Sequence, residues 1–146
     1  EDTLSLHDAL PISEWVLKEL ENKKIPTQQI AGSTGNWEKN QANVIVRQWM
    51  KEYPNQIEVI ISNNDDMALG VYDYYKQHNL KLPLILGINN SPEMNQKIQA
   101  GEIYGTVDNG TNDQISYICK LLNDILNKDT AKYHKIWYSK PFAIEK

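Results

Sequence analysis

Residues 57–79, "IEVIISNNDDMALGVYDYYKQHN", decide the fold. The run from Ile57 to Ser62 is short and almost continuously apolar, which predicts a strand covered on both faces rather than one alternating between core and water. It breaks at Asn63-Asn64-Asp65-Asp66, amides and acids that suit the start of a helix. Met67, Val71, Tyr74 and Tyr75 then recur at helical spacing. A buried strand that runs directly into an amphipathic helix is half of a strand-helix-strand unit, and such units build parallel sheets.

The same alternation continues downstream. "LPLILGI" (82–88) reads as a second buried strand, and "SPEMNQKIQAG" (91–101) as a short helix in which Ser91 caps, Pro92 takes the first turn and Gly101 closes the end. "IYGTVD" (103–108) is a third strand. "TNDQISYICKLLNDILN" (111–127) opens with a T-x-x-Q capping box and presents Ile115, Ile118, Cys119, Leu122 and Leu126 as one stripe. Upstream, "TQQIAG" (27–32) predicts a short strand, and "NWEKNQANVIVRQWMKEY" (36–53) a helix capped by Asn36 and stopped by Pro54. Ser13 to Asn22 reads as the end of another helix, with Val16, Leu17 and Leu20 on one side. The fold class expected is α/β, a parallel sheet with helices on both faces.

Composition bounds the function. Hydrophobic residues make up 40% of the chain and charged residues 23%, and the net charge of −4 fits a globular protein. Lysines are scattered among acids, so no basic face for nucleic acid is expected, and no apolar run reaches the length of a membrane span. With one cysteine, Cys119, neither an internal disulfide nor a multi-cysteine metal site can form.

Residues 1–12 stand apart. Beyond them Lys, Asn, Ile and Tyr abound with a single Arg47, as in proteins from A/T-rich genomes, whereas 1–12 contain no Lys and no Asn. "TLSLHDALPIS" (3–13) back-translates to a string that resembles the end of a short-read sequencing adapter. Residues 1–12 are therefore expected to be foreign to the fold, with native chain missing ahead of them.

Ligands of open parallel sheets bind beyond the carboxyl ends of the strands. Three consecutive strands here end in amides or acids: Ser62-Asn63-Asn64-Asp65, Asn89-Asn90 and Asp108-Asn109. Each group has a plain reading as a cap or turn, but together they form a rim of donors and acceptors suited to a small polyhydroxylated ligand. Trp37 follows the "GSTGN" loop (32–36); it reads either as a core staple or as a platform for the C–H face of a pyranose. Catalytic patterns are missing: the loop lacks the Lys of a phosphate loop, and there is no G-x-S-x-G or H-E-x-x-H. His78 and His134 fall on a helix end and in a late linker, Asp65-Asp66 read as dipole and cap residues, and Cys119 as a buried core thiol. No enzyme is expected.

Residues 57–79, followed by "LILGINNSPEMNQKIQAGEIYGTVDNGTNDQ" (84–114), resemble the C-terminal half of bacterial periplasmic sugar-binding proteins of the ribose/galactose type, the type I periplasmic binding proteins, and among them the galactose/glucose-binding kind. "VLKELENKKI" (16–25) and "GNWEKNQA" (35–42) stand in the expected order before it. The resemblance implies that Trp37 stacks on the sugar ring, that Asn64 binds ring hydroxyls, and that Asn109 lies near the crossover to a second lobe. Asn89 stands where that kind carries an aspartate, which changes the hydrogen bonding open to the sugar. Glu58 matches a glutamate that completes a calcium site whose loop would lie upstream; on its own it reads as an exposed residue at a strand start. By the same resemblance 13–109 form the C-terminal sugar-binding lobe, 110–128 a crossover helix of the missing N-terminal lobe, and 129–146 the return segment.

The function so implied is that of one lobe of an extracytoplasmic, periplasmic or lipid-anchored receptor. It would take a monosaccharide in an interlobe cleft for an ABC permease, with a chemoreceptor as a further partner. The alternative is the effector domain of a LacI-type transcription regulator, distinguished by a DNA-binding module upstream. The stripe on 111–127 is expected to lack its partner surface.

Overall fold

Helix and strand alternate through the chain, and the strands join one sheet in the order β1-β2-β3-β4. The computed structural model describes residues 10–127 and 141–145. The elements are α1 (Leu10–Asn22), α2 (Lys39–Glu52), β1 (Val59–Ile61), α3 (Asp65–Gln77), β2 (Leu84–Ile88), α4 (Pro92–Gln99), β3 (Gly105–Asp108), α5 (Thr111–Leu126) and β4 (Phe142–Glu145). Strands β1 to β3 are parallel, with Val59 opposite Leu84 and Leu86 opposite Gly105. Strand β4 lies antiparallel along β3, so that Gly105 faces Glu145.

The core lies on one face of the sheet. Ile60, Ile85, Gly87 and Thr106 are buried there beneath α3 and α4, while α2 packs on the outer side of α3 through Ala42 and Val46. Leu69, Ile85, Met94 and Val46 are fully buried, each contributing about 1.5–3 kcal/mol of transfer free energy. Helix α3 sits between the sheet and α2, which explains why its sequence is apolar around so much of its circumference. Gly70 marks its closest approach to α2: a Cβ there would collide with the Lys39 carbonyl. Asn43 Nδ2 donates to the Gly70 carbonyl at 3.2 Å and ties the two helices at that point.

The opposite face differs from expectation. The apolar runs of β1 and β2 predict cover on both sides, yet Val59 and Leu84 are 48% and 49% exposed, and Ile61 and Val107 are exposed beside them. No residue of α5 is buried, so its stripe of Ile115, Ile118 and Leu122 faces solvent as expected.

Helix termini follow the sequence in part. Asn64 Oδ1 accepts from the Met67 N–H at 2.9 Å, and Ser91 Oγ from that of Met94 at 3.3 Å. Gly101 takes the left-handed φ of 72° that ends α4. The expected capping box of α5 is not formed. Gly110, at φ 74°, takes the cap position, and Thr111 becomes the first helical residue, its hydroxyl donating to Asn109 Oδ1 at 2.7 Å. Helix α2 starts at Lys39 rather than Asn36, because Asn36 and Trp37 adopt φ values of 48° and 64° in a tight turn closed by the Glu38 N–H to the Gly35 carbonyl. Residues 27–32 form no strand: they pair with no described neighbour, and a strand without a ladder leaves its polar backbone to water. Helix α1 begins at Leu10, inside the segment read as foreign, rather than at Ser13.

Candidate functional site

The turn at 35–38 is compact because Gly35 is buried against Met67, whose Sδ would lie 2.6 Å from a Cβ there. Two left-handed residues then lift the Trp37 side chain away from the body, leaving it 42% exposed. The core-staple reading of Trp37 is thereby set aside. Asn64 Nδ2 donates to the Trp37 carbonyl at 3.1 Å, so the residue that caps α3 also anchors the turn. Buried and bonded at both ends of its amide, Asn64 is a rigid member of the rim.

Asn89 and Asn109 form a second pair, Asn109 Nδ2 donating to Asn89 Oδ1 at 2.9 Å. Asn89 and Asn90 both have positive φ, 121° and 59°, a strained course for side-chain-bearing residues. Asn90 turns its amide to the next strand, Nδ2 donating to Asp108 Oδ2 at 2.9 Å and Oδ1 accepting from Asn95 Nδ2 at 3.0 Å. The second oxygen of Asp108 accepts from the Gly110 N–H at 2.7 Å and fixes the chain as it enters α5.

A buried carboxylate joins these pairs. Asp65 is 1% exposed, and its oxygens accept from the Ser91 N–H and the Thr106 hydroxyl, both at 2.6 Å. One side chain at the end of β1 thus grips the segments that continue β2 and belong to β3. Burial pushes the Asp65 carboxyl above its ordinary range, while the bonds from Thr106 and Ser91 act in the opposite direction. Reading Asp65 as a dipole and cap residue missed this, because its partners lie 26 and 41 positions away. Gly87 was the available signal: a glycine in a buried strand marks a close approach, and the space of its missing Cβ is filled by Asp65 Oδ1 and Met94 Cε.

The other candidates lie elsewhere. Glu58 is exposed just before β1, at the end of that strand remote from Asn64. Calcium takes six to eight oxygens, and among the described residues no three acidic, imidazole or thiol side chains gather. Asp66 is exposed in the first turn of α3. His78 ends α3, its ring 4.5 Å from that of Tyr74. Cys119, expected in the core, is exposed, as are Ile115, Ile118 and Leu122 of the same α5 stripe. His134 and residues 1–9 lie outside the described residues.

Known proteins share this fold. Over 131 residues the chain is 39% identical to the D-galactose/methyl-galactoside binding periplasmic protein of Haemophilus influenzae, covering 89% of this chain and 39% of that protein. A Caulobacter myo-inositol binding protein bound to myo-inositol superposes with a TM-score of 0.81 at 23% identity, over 91% of this chain and 45% of that one. A periplasmic solute binding protein of an ABC transporter from Actinobacillus succinogenes with bound D-allose gives 0.77 at 21% identity, over 88% and 45%. The chain therefore spans less than half the length of these relatives. Among the described residues no helix is long and apolar enough to cross a membrane. The family described as "Periplasmic binding protein domain" matches residues 3–130, and this chain belongs to it.

Proposed function

We propose that the chain is one lobe of an extracytoplasmic solute-binding protein that takes a monosaccharide of the galactose/glucose class in an interlobe cleft and delivers it to an ABC permease. The observation that carries the reading is an exposed indole on a turn whose backbone is bonded to the amide after one parallel strand, Trp37 to Asn64, with the amides after the next two strands, Asn89 and Asn109, bonded to each other. A sugar ring has an apolar C–H face that stacks on indole and a belt of hydroxyls that both donate and accept, and amides offer both functions. D-galactose, D-allose and myo-inositol, the ligands named for relatives, share that character. The hydroxyl–carboxylate pair behind the rim, Thr106 donating to Asp65, is buried rather than presented to a ligand, and binding without chemistry is the reading supported. Calcium at Glu58 and docking to a chemoreceptor are further roles of this proposal, tested separately by calcium titration and receptor pull-down.

The test is titration of the complete gene product with galactose, glucose, ribose and myo-inositol while its tryptophan fluorescence is followed. At least one hexose is expected to bind in the micromolar range or tighter, and Trp37→Ala to weaken it at least tenfold, about 1.4 kcal/mol. Full affinity in that variant would sink the proposal.

A further inference from the structure

We propose that Asp65 is a positioning residue for the sugar rim: through Ser91 and Thr106 it sets where the Asn89 and Asn109 amides stand. The inference rests on the reading of that rim as the sugar contact. Its ground is geometric. Asp65 follows Asn64 directly, yet its side chain turns inward and spends both oxygens on the neighbouring strand ends. The Ser91 N–H it holds comes immediately after Asn89 and Asn90, the two consecutive residues in left-handed conformations. Such residues revert to extended backbone unless surrounding bonds prevent it. Three bonds do so here. Asp65 takes the Ser91 N–H, Thr106 Oγ1 accepts from the Asn90 N–H at 3.4 Å, and the Val107 carbonyl accepts from that of Asn89 at 2.9 Å. Thr106 makes one of these bonds and steadies the partner in another, because its hydroxyl accepts from Asn90 while donating to Asp65.

Gly87 completes the seat. Its missing Cβ leaves the space in which the carboxylate reaches β3, with Met94 closing the other side. Losing the carboxylate, or the hydroxyl that orients it, frees the 89–90 turn, and the Asn89 amide then leaves Asn109. Asp65 touches no sugar in this scheme; it acts through Asn89.

Three variants of the complete gene product decide the matter. Thr106→Val removes the hydroxyl at nearly constant shape, Asp65→Asn removes the charge, and Thr106→Ser keeps the hydroxyl. Thr106→Val and Asp65→Asn are expected to shift the side-chain amide NMR resonances of Asn89 and Asn109 and to weaken galactose binding about tenfold. Thr106→Ser is expected to retain both wild-type properties. Melting temperatures confirm that each variant is folded, and Thr106→Val carries the test alone where Asp65→Asn fails to fold. Unmoved amide resonances overturn the proposal, as do moved resonances with undiminished affinity. Failure of the sugar reading itself is separately visible, as full affinity in Trp37→Ala.

Discussion

Asp65 and Trp37 exchange the places their polarities suggest: the acid is inside and the indole half outside. Removing the acid's side chain strands the Ser91 amide and the Thr106 hydroxyl in a dry site. Asp65→Ala is therefore expected to lower stability by about 1–3 kcal/mol for each group left unpaired, read as a fall in the urea midpoint. Gly70→Ala acts by collision rather than loss, because the Lys39 backbone cannot swing aside as a side chain would. It should cost about 1–3 kcal/mol and separate the start of α2 from α3. Trp37, Asn64, Asn89 and Asn109 were legible as a group because each follows a glycine-rich loop or a buried strand, where parallel sheets offer their ends. Their bonding was not, since an amide reads alike whether it caps a helix, braces a turn or meets a ligand. Asp65 was legible as a dipole and cap residue and as one of the polar groups of the rim, not as a buried tie between strand ends.

At the scale of elements, the charged residues of α2, α3 and α4 link the helices to each other and to the turn before β3. Lys39 bridges Asp73 and Glu93 at 3.1 Å each, and Glu102 bridges Lys76 and Lys97 at 3.1 and 3.0 Å beside the Tyr72 ring. The Lys97, Tyr72 and Lys76 hydrogen bonds hold the Glu102 carboxyl at about 2, below its ordinary 4.5. A depressed carboxyl stabilises the fold above its unfolded value and ceases to do so as pH falls from about 4.5 toward about 2. Glu102→Gln should flatten the melting-temperature profile in that window. Asp65 has the opposite sign: its raised carboxyl favours the fold below the ordinary 3.8 and loses that contribution as pH rises through its folded value. Helices α3 and α4 were readable in the sequence because periodicity, cap and stop agreed there. Residues 27–32 misled because a strand needs a neighbour, and local pattern says nothing about one. The start of α2 misled because Asn36 suits a cap and a left-handed turn equally, and the close contact of Gly35 with Met67 selected the turn.

Among the described residues, the sheet is covered on one side only. Helices α2, α3 and α4 clothe one face of the sheet, while Val59, Ile61, Leu84 and Val107 on the other, and the stripe of α5, meet water. The 146-residue chain is accordingly expected to bind an environment-sensitive apolar dye and to self-associate with rising concentration. Ile118→Lys combined with Leu122→Glu should reduce both without lowering the melting temperature, because α5 contributes no buried residue. The alternation of strand and helix was readable from sequence, and with it the fold class. Coverage was not, since an apolar run looks the same whether its second face is met by this chain or by another part of a longer one.

The pairing of Gly105 with Glu145 has a kinetic consequence. The parallel strands β1, β2 and β3 follow one another more closely in the chain, whereas β4 pairs with β3 across a longer stretch of sequence, and bringing such distant segments together is entropically costly. Strand β4 should zip last during refolding and peel first under mild stress. Its amides at Ala143 and Glu145 would then trade hydrogen for deuterium well before that of Ile85 in the centre of the sheet.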